Sequence, residues 1–247
     1  MEVEVKNLSL IFNIKDIDGS FLRKKILKKL FFKKKKSKIQ FQALENINFK
    51  LNNGDRLGII GANGSGKSTL IKCLSGILTP VKNSYIGIKG KFIPIIEPWS
   101  LCEPTDSVLN NIKLVGLILG FNKNYIEKNI ERILEFSDLS ERRYFQFSSL
   151  STGMKLKLIF ALVFLLKTEI FFIDEFLTTG DEKFREKSYK HLIKETENKI
   201  VVICSHEREA IKTFCNKVLL LDKGNQIFFG DVEEGFKKYD QIIKNYV

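Results

Sequence analysis

Residues 56–69 read Arg-Leu-Gly-Ile-Ile-Gly-Ala-Asn-Gly-Ser-Gly-Lys-Ser-Thr, a glycine-rich loop set directly between an apolar run and a helix-forming one. Leu57, Ile59 and Ile60 have the character of a buried strand, and residues 70–78 that of a helix. Gly61 and Gly66 allow the tight turns that aim successive backbone N–H groups at one point, at a helix N-terminus. That arrangement suits the β- and γ-phosphates of a nucleoside triphosphate. Lys67 adds a point charge for the phosphates and Ser68 a hydroxyl for Mg²⁺. The candidate nucleotide-binding residues are therefore Gly61, Ala62, Asn63, Gly64, Ser65, Gly66, Lys67, Ser68 and Thr69. The loop alone does not say which nucleotide-driven reaction it serves.

The 247 residues, 44% of them hydrophobic, can bury a full core, either one large α/β domain or a core with a small subdomain. Cys73, Cys102, Cys204 and Cys215 show neither pairing nor metal-ligand spacing, so they read as reduced, buried side chains. The longest apolar run, residues 158–166, is far short of the roughly 20 residues that span a bilayer. Met1 is followed by charged alternation rather than a signal peptide. Neither a membrane span nor secretion is expected.

The formal charge is +12, but residues 23–38 hold ten Lys and Arg and no acid, and removing those ten leaves about +2. The body of the chain is nearly neutral. Within 21–36, Leu22, Ile26 and Leu30 recur at helical spacing with Phe21, Leu27 and Phe31 beside them. Arg23, Lys24, Lys25, Lys28 and Lys29 fill the opposite side. This basic amphipathic pattern has two open readings: a solvated surface helix, or an element that docks on anionic lipid or on a partner protein. Nucleic acid ranks below both, because no aromatic platform or helix-turn-helix signature accompanies the charge.

Along the chain, Val3, Val5 and residues 8–12 form an opening strand, and strand character resumes at 43–51 after a basic insertion over 13–40. Asn52-Asn53-Gly54-Asp55 is a turn and the strongest local hairpin signal. Short strands are expected at 85–88 and 91–96, then a helical block over 98–166. Strands follow at 169–173, 200–204, 217–221 and 226–229, and a closing helix over 231–247.

Residues 169–175, Glu-Ile-Phe-Phe-Ile-Asp-Glu, are an apolar strand ending in two acids. Carboxylates at the C-terminal end of a buried strand reach the ligand crevice of an open α/β sheet. Asp174 is thus a candidate for Mg²⁺ or its water, and Glu175 for activating an attacking water. Leu150-Ser151-Thr152-Gly153-Met154 precedes a helix, where Ser151 and Gly153 can offer a hydroxyl and a backbone N–H to phosphate.

At these residues the chain resembles the nucleotide-binding subunits of ABC transporters, whose signature Leu-Ser-Gly-Gly-Gln lies between the two nucleotide motifs as residues 150–154 do here. Ser205-His206 matches the family's switch histidine, Asp181 its D-loop aspartate, and Glu97 stands at its Q-loop glutamine. The resemblance implies one domain over 1–247: a P-loop NTPase ABC cassette of α/β class. Its parts are a RecA-like core, an antiparallel β subdomain and an inserted helical subdomain. It also implies ATP and Mg²⁺ as cofactors. Glu175 and His206 would be catalytic, and Ser68, Asp174 and Glu97 would lie at the metal. Ser151, Thr152, Gly153, Met154 and Asp181 would meet the nucleotide of a second copy, and Phe41 would stack on adenine in competition with Phe31 and Phe32.

Thr152, Met154, Thr179-Gly180 and Phe176 depart from the family pattern. With Phe41-Gln42-Ala43-Leu44 and the basic insertion, they resemble the ATP-binding subunits of bacterial exporters of O-antigen, capsule and teichoic acid. That likeness implies a homodimer on a membrane-embedded permease dimer, peripheral at the cytoplasmic face of the cell membrane, that drives export of a lipid-linked polysaccharide. No C-terminal carbohydrate-binding domain is expected. The rivals are a lipid or drug exporter ATPase and a soluble ABC ATPase associated with nucleic acid.

Overall fold

The structure, a computed structural model, describes residues 1–14, 39–96, 101–165, 168–174, 193–194, 196–205 and 207–244. Strands β1 (Glu2–Ile14), β2 (Ile39–Asn52) and β3 (Arg56–Ile60) lead through the glycine loop into helix α1 (Lys67–Leu74). Strands β4 (Tyr85–Lys89) and β5 (Phe92–Ile95) precede helices α2 (Val108–Ile118), α3 (Lys123–Phe136) and α4 (Thr152–Leu165). Then come β6 (Ile170–Asp174), β7 (Ile200–Cys204), α5 (Arg208–Phe214), β8 (Lys217–Asp222), β9 (Asn225–Gly230) and α6 (Val232–Lys244).

The strands lie in the order β4-β1-β2-β9-β8-β3-β7-β6-β5. From β8 to β5 every neighbour is parallel. The reason is visible in the residues: Ile-Phe-Phe-Ile of β6 and Ile-Val-Val-Ile-Cys of β7 are apolar at consecutive positions and buried throughout, as strands covered on both faces must be. Successive side chains of β6 enter opposite cores. Ile170 and Phe172 face the layer of α1 with Leu70, Ile71 and Leu74, while Phe171 and Ile173 face the layer that holds α2 to α6. Each fully buried side chain of this size contributes about 1.5–3 kcal/mol. On the other flank β4, β1 and β2 are antiparallel and form the expected β subdomain. The ribbon of β1 and β2 takes in both ends of the basic insertion, with Asn13 opposite Gln40 and Ile14 opposite Ile39. Residues 15–38 lie outside the described residues.

The helical block is present, started by side-chain caps. Ser107 Oγ accepts the Asn110 N–H at 3.1 Å, and Asn122 Oδ1 accepts that of Tyr125 at 2.8 Å. Val108, Ile112 and Val115 of α2 and Ile126, Ile130 and Ile133 of α3 point inward as their spacing predicts.

Two expectations need correction. The turn at Asn52-Asn53-Gly54-Asp55 exists, with Gly54 at φ +82° and the Asp55 N–H on the Asn52 carbonyl at 3.0 Å, yet it closes no hairpin. The strand after it, β3, pairs with β7 and β8. After Arg56 every residue of β3 is apolar and buried, and such a strand is held by parallel neighbours on both sides, so the turn only redirects the chain. The true two-residue hairpin is Lys223-Gly224 between β8 and β9, with φ +45° and +84° and Asp222 opposite Asn225. Helix α1 also stops at Leu74 rather than 78. Gly76 takes φ +73°, and the N–H groups of Ile77 and Leu78 both turn back to the Lys72 carbonyl, closing the helix end.

All four cysteines are free and buried. Burial pushes the thiol of Cys73 up to about 11 and those of Cys102 and Cys215 up to about 12. At pH 8 roughly one Cys73 thiol in a thousand is thiolate, so the native chain should resist iodoacetamide at these positions until denaturant is added. Mass spectrometry showing native labelling of Cys73, Cys102 or Cys215 contradicts this. Among the described residues no helix is long and apolar enough to cross a membrane.

Candidate functional site

The loop after β3 is shaped by close approaches that only glycine allows. Gly61 has φ +147°, and a β-carbon there would lie 2.2 Å from the Leu221 carbonyl oxygen and 2.6 Å from Ser65 Oγ. Gly66, the N-cap of α1 at φ +105°, would press a β-carbon to 2.8 Å from Leu44 Cδ2. At Gly64, φ +78°, the same position is open space. The loop is thus locked to β8 and β2 behind and open at its tip, where Ala62, Asn63 and Gly64 are exposed.

Gly61→Ala should cost roughly 1–3 kcal/mol, since it puts a side chain into both a backbone contact and a disfavoured φ. For a domain of this size that is a fall of several degrees in Tm. An unchanged melting curve would contradict the tight fit.

Lys67 is only 6% exposed, and its ammonium turns back over the loop to donate to the carbonyls of Gly61 at 2.9 Å and Ala62 at 3.0 Å. Ser65 is 2% exposed, its hydroxyl oxygen is buried with no hydrogen-bond partner, and its carbonyl accepts the Gly224 N–H at 3.0 Å. Ser68 Oγ lies 3.1 Å from Asp174 Oδ1, which brings together two residues 106 positions apart. Register explains the meeting: Asp174 is level with Cys204 of β7, which is level with Ile59 of β3, so three parallel strands end on one edge beside the loop. Thr69 follows in the first turn of α1.

These groups fit a nucleotide and a hard divalent cation. The open Gly64, the buried cation of Lys67 and an unused buried hydroxyl suit a polyanion. The Ser68 hydroxyl and Asp174 carboxylate are oxygen donors, as Mg²⁺ takes when phosphates complete its shell. Among the described residues there is no cluster of three or more His, Cys, Asp or Glu that would hold a metal without such help.

Phe41 is 55% exposed on β2, paired across the ribbon with Phe12, 38% exposed. Two residues on, the Ala43 carbonyl oxygen comes within 3.1 Å of the β-carbon position of Gly66, so Phe41 rides a strand that passes the loop. Sequence reading missed Phe12, whose strand alternation gave no hint of exposure. It also missed the Lys223-Gly224 turn against Ser65, although a glycine between two apolar strands was a signal.

Ser151 caps α4, its hydroxyl accepting the Met154 N–H at 3.3 Å, and Met154 sulfur takes an N–H from Arg142 at 3.2 Å. Thr152 and Gly153 follow Ser151 in the same turn. Among the described residues, the hydrogen bonds of residues 151–154 stay inside the helical subdomain, and none reaches the phosphate loop of the same chain. Glu97, Glu175, Asp181, His206, Phe31 and Phe32 lie outside the described residues.

The sequence pattern of the ABC transporter family matches residues 44–178. The chain is 35% identical to the teichoic acids export ATP-binding protein TagH of Bacillus anthracis, over 89% of this chain and 40% of that one. It is 36% identical to the O-antigen export system ATP-binding protein RfbE of Yersinia enterocolitica, over 74% of this chain and 76% of that one. The chain spans about 40% of the length of the first curated relatives it matches. A solved structure described as the ATP binding subunit of an ABC transporter superposes with a TM-score of 0.75 at 20% identity, covering 97% of this chain and 94% of that one. That superposition establishes the P-loop ABC fold, and a family pattern running through more than half of the sequence makes the chain a member of the ABC transporter family.

Proposed function

We propose that the chain binds ATP with Mg²⁺ and hydrolyses it as the motor subunit of an exporter of a lipid-linked polysaccharide of O-antigen, capsule or teichoic acid type. The observation that carries the ATPase part is the Ser68–Asp174 contact beside Lys67, since phosphate, cation and metal chemistry then converge on one strand edge. The export systems for which the relatives are named and the motif variants of residues 150–154 and 179–181 support the cargo class.

In this reading Gly61 to Thr69 hold the phosphates and Lys67 swings from the loop carbonyls to them. Ser68 and Asp174 would hold Mg²⁺, and Glu97 is a further candidate ligand. Bound there, Mg²⁺ would neutralise phosphate charge that builds as the terminal bond breaks. Glu175 orients or deprotonates the attacking water, His206 contacts the terminal phosphate, and Phe41 stacks on adenine. Among the described residues, 151–154 make no bond to their own loop, which suits a head-to-tail homodimer in which Ser151 to Met154 and Asp181 complete the site of the second copy. The dimer sits at the cytoplasmic face of the cell membrane on a permease dimer, and residues 21–36 meet anionic lipid there.

The test is co-expression with a multi-span membrane protein sought among the neighbouring genes. ATP turnover of the co-purified complex in proteoliposomes should exceed that of the isolated chain and respond to the lipid-linked polymer. Stimulation by nucleic acid in place of the membrane partner would overturn the reading. Flotation with anionic against neutral vesicles tests the lipid contact.

A further inference from the structure

The C-terminal helix is tied to the segment that carries His206 more firmly than a surface helix needs to be. On the near side of position 206, β7 ends in buried Cys204 and buried Ser205. The Ser205 hydroxyl reaches across 206 and accepts the Glu207 N–H at 3.1 Å. On the far side Arg208 opens α5. Its guanidinium makes a two-pronged bond to Asp240 of α6, at 2.7 Å and 2.6 Å, and lies over the Phe236 ring at 4.6 Å. Phe236 is 3% exposed, so the ring is an anchored platform rather than a loose surface group. One turn on, Lys212 bonds Glu233 at 3.3 Å and also faces Phe236 at 5.8 Å.

We infer that α6 is a clamp on the residues that flank His206, namely Ser205, Glu207 and Arg208, with Arg208 and Asp240 as positioning residues for the hydrolysis step. This rests on the role of His206 in the functional reading above. The physical case is one of constraint. Arg208 is two residues from His206, and a planar fork fixes direction as well as distance, unlike a single ammonium contact. The residues that flank position 206 are therefore held, Ser205 and Glu207 by their mutual hydrogen bond and Arg208 by Asp240 of α6. The Arg208 hydrogen bonds hold the Asp240 carboxyl below the usual carboxylate range, so the fork stays ionised at neutral pH. The stacked ring and the Lys212–Glu233 pair keep α6 in place when α5 is pulled. Any partner that shifts α6 would thereby reach the terminal phosphate.

The experiment uses the full chain with its membrane partner and compares Asp240→Ala, Arg208→Ala, the double variant and Asp240→Glu. Both groups of the pair are surface-exposed, so the variants should fold with Tm changed by no more than a few degrees. Expected are a kcat about three- to tenfold lower in Asp240→Ala at unchanged KM for ATP, and no further fall in the double variant. Asp240→Glu should recover much of the loss. Hydrogen exchange of the peptide covering 203–209 should quicken in Asp240→Ala, an outcome independent of turnover. Unchanged exchange overturns the clamp even if the chain proves not to be an ATPase. Faster exchange with unchanged kcat in an active wild type overturns the positioning role alone, as would a KM that rises in step with the fall in kcat.

Discussion

Replacing Lys67 with Ala should weaken ATP binding at least about 100-fold while leaving the fold intact. The ammonium is buried against two loop carbonyls, at 2.9 Å and 3.0 Å, and those contacts hold it ready at the centre of the loop. Each hydrogen bond that involves a charge is worth about 1.5–3 kcal/mol, so the loss of two phosphate contacts accounts for a change of that size. Of the two carbonyls left behind, that of Ala62 is at the exposed tip of the loop, and that of buried Gly61 loses one neutral-acceptor contact, a cost of about 1–3 kcal/mol. Lys67→Met keeps the volume of the stem and serves as the control for packing. Titration with a slowly hydrolysed ATP analogue, followed by calorimetry, reads the affinity, and circular dichroism reads the fold. Retained affinity in a folded Lys67→Ala variant would remove Lys67 from the phosphate site and leave the loop without its cation.

Much of this site is legible in the residues because its parts are local. Gly61 and Gly66 stand where the chain must turn with positive φ, and the strand before them is apolar at each of the positions that the sheet buries. The helical block is equally readable, since its apolar spacing and its Ser and Asn caps are short-range signals. What the residues do not carry is pairing over distance. Gly61 is fitted to the carbonyl of Leu221, and nothing at either position announces the other. The turn at 52–55 looks like a hairpin because turn chemistry is local, whereas the choice of partner for β3 depends on which strands must be covered on both faces. Ser68 and Asp174 could be linked by their shared suitability for Mg²⁺ at the end of a buried strand, but their contact could not be read, and a surface fork such as Arg208–Asp240 leaves no periodic mark in the sequence at all.

The Ser151 cap lies in the helical subdomain and, among the described residues, makes no hydrogen bond to the phosphate loop. In the proposed head-to-tail arrangement, a chain whose described signature turn bonds within its own helical subdomain would bind ATP alone and complete the site only against another copy. Binding and turnover should then be separable by one substitution, and Glu175 is where to make it. Strand β6 delivers Asp174 to Ser68 at the strand edge, and Glu175 is the next residue along. Gln keeps the size and hydrogen-bonding reach of that side chain but is no longer a base and no longer repels phosphate. Glu175→Gln should therefore lower kcat by about 10²–10⁴-fold, the usual worth of a positioned general base. ATP affinity should be equal or tighter. With hydrolysis blocked, ATP should hold two copies together, so size-exclusion chromatography should show an ATP-dependent dimer in Glu175→Gln that Lys67→Ala cannot form. Turnover retained in Glu175→Gln removes that residue from the chemistry. A variant that binds ATP, fails to turn over and stays monomeric would instead break the head-to-tail arrangement, and with it the role given to Ser151.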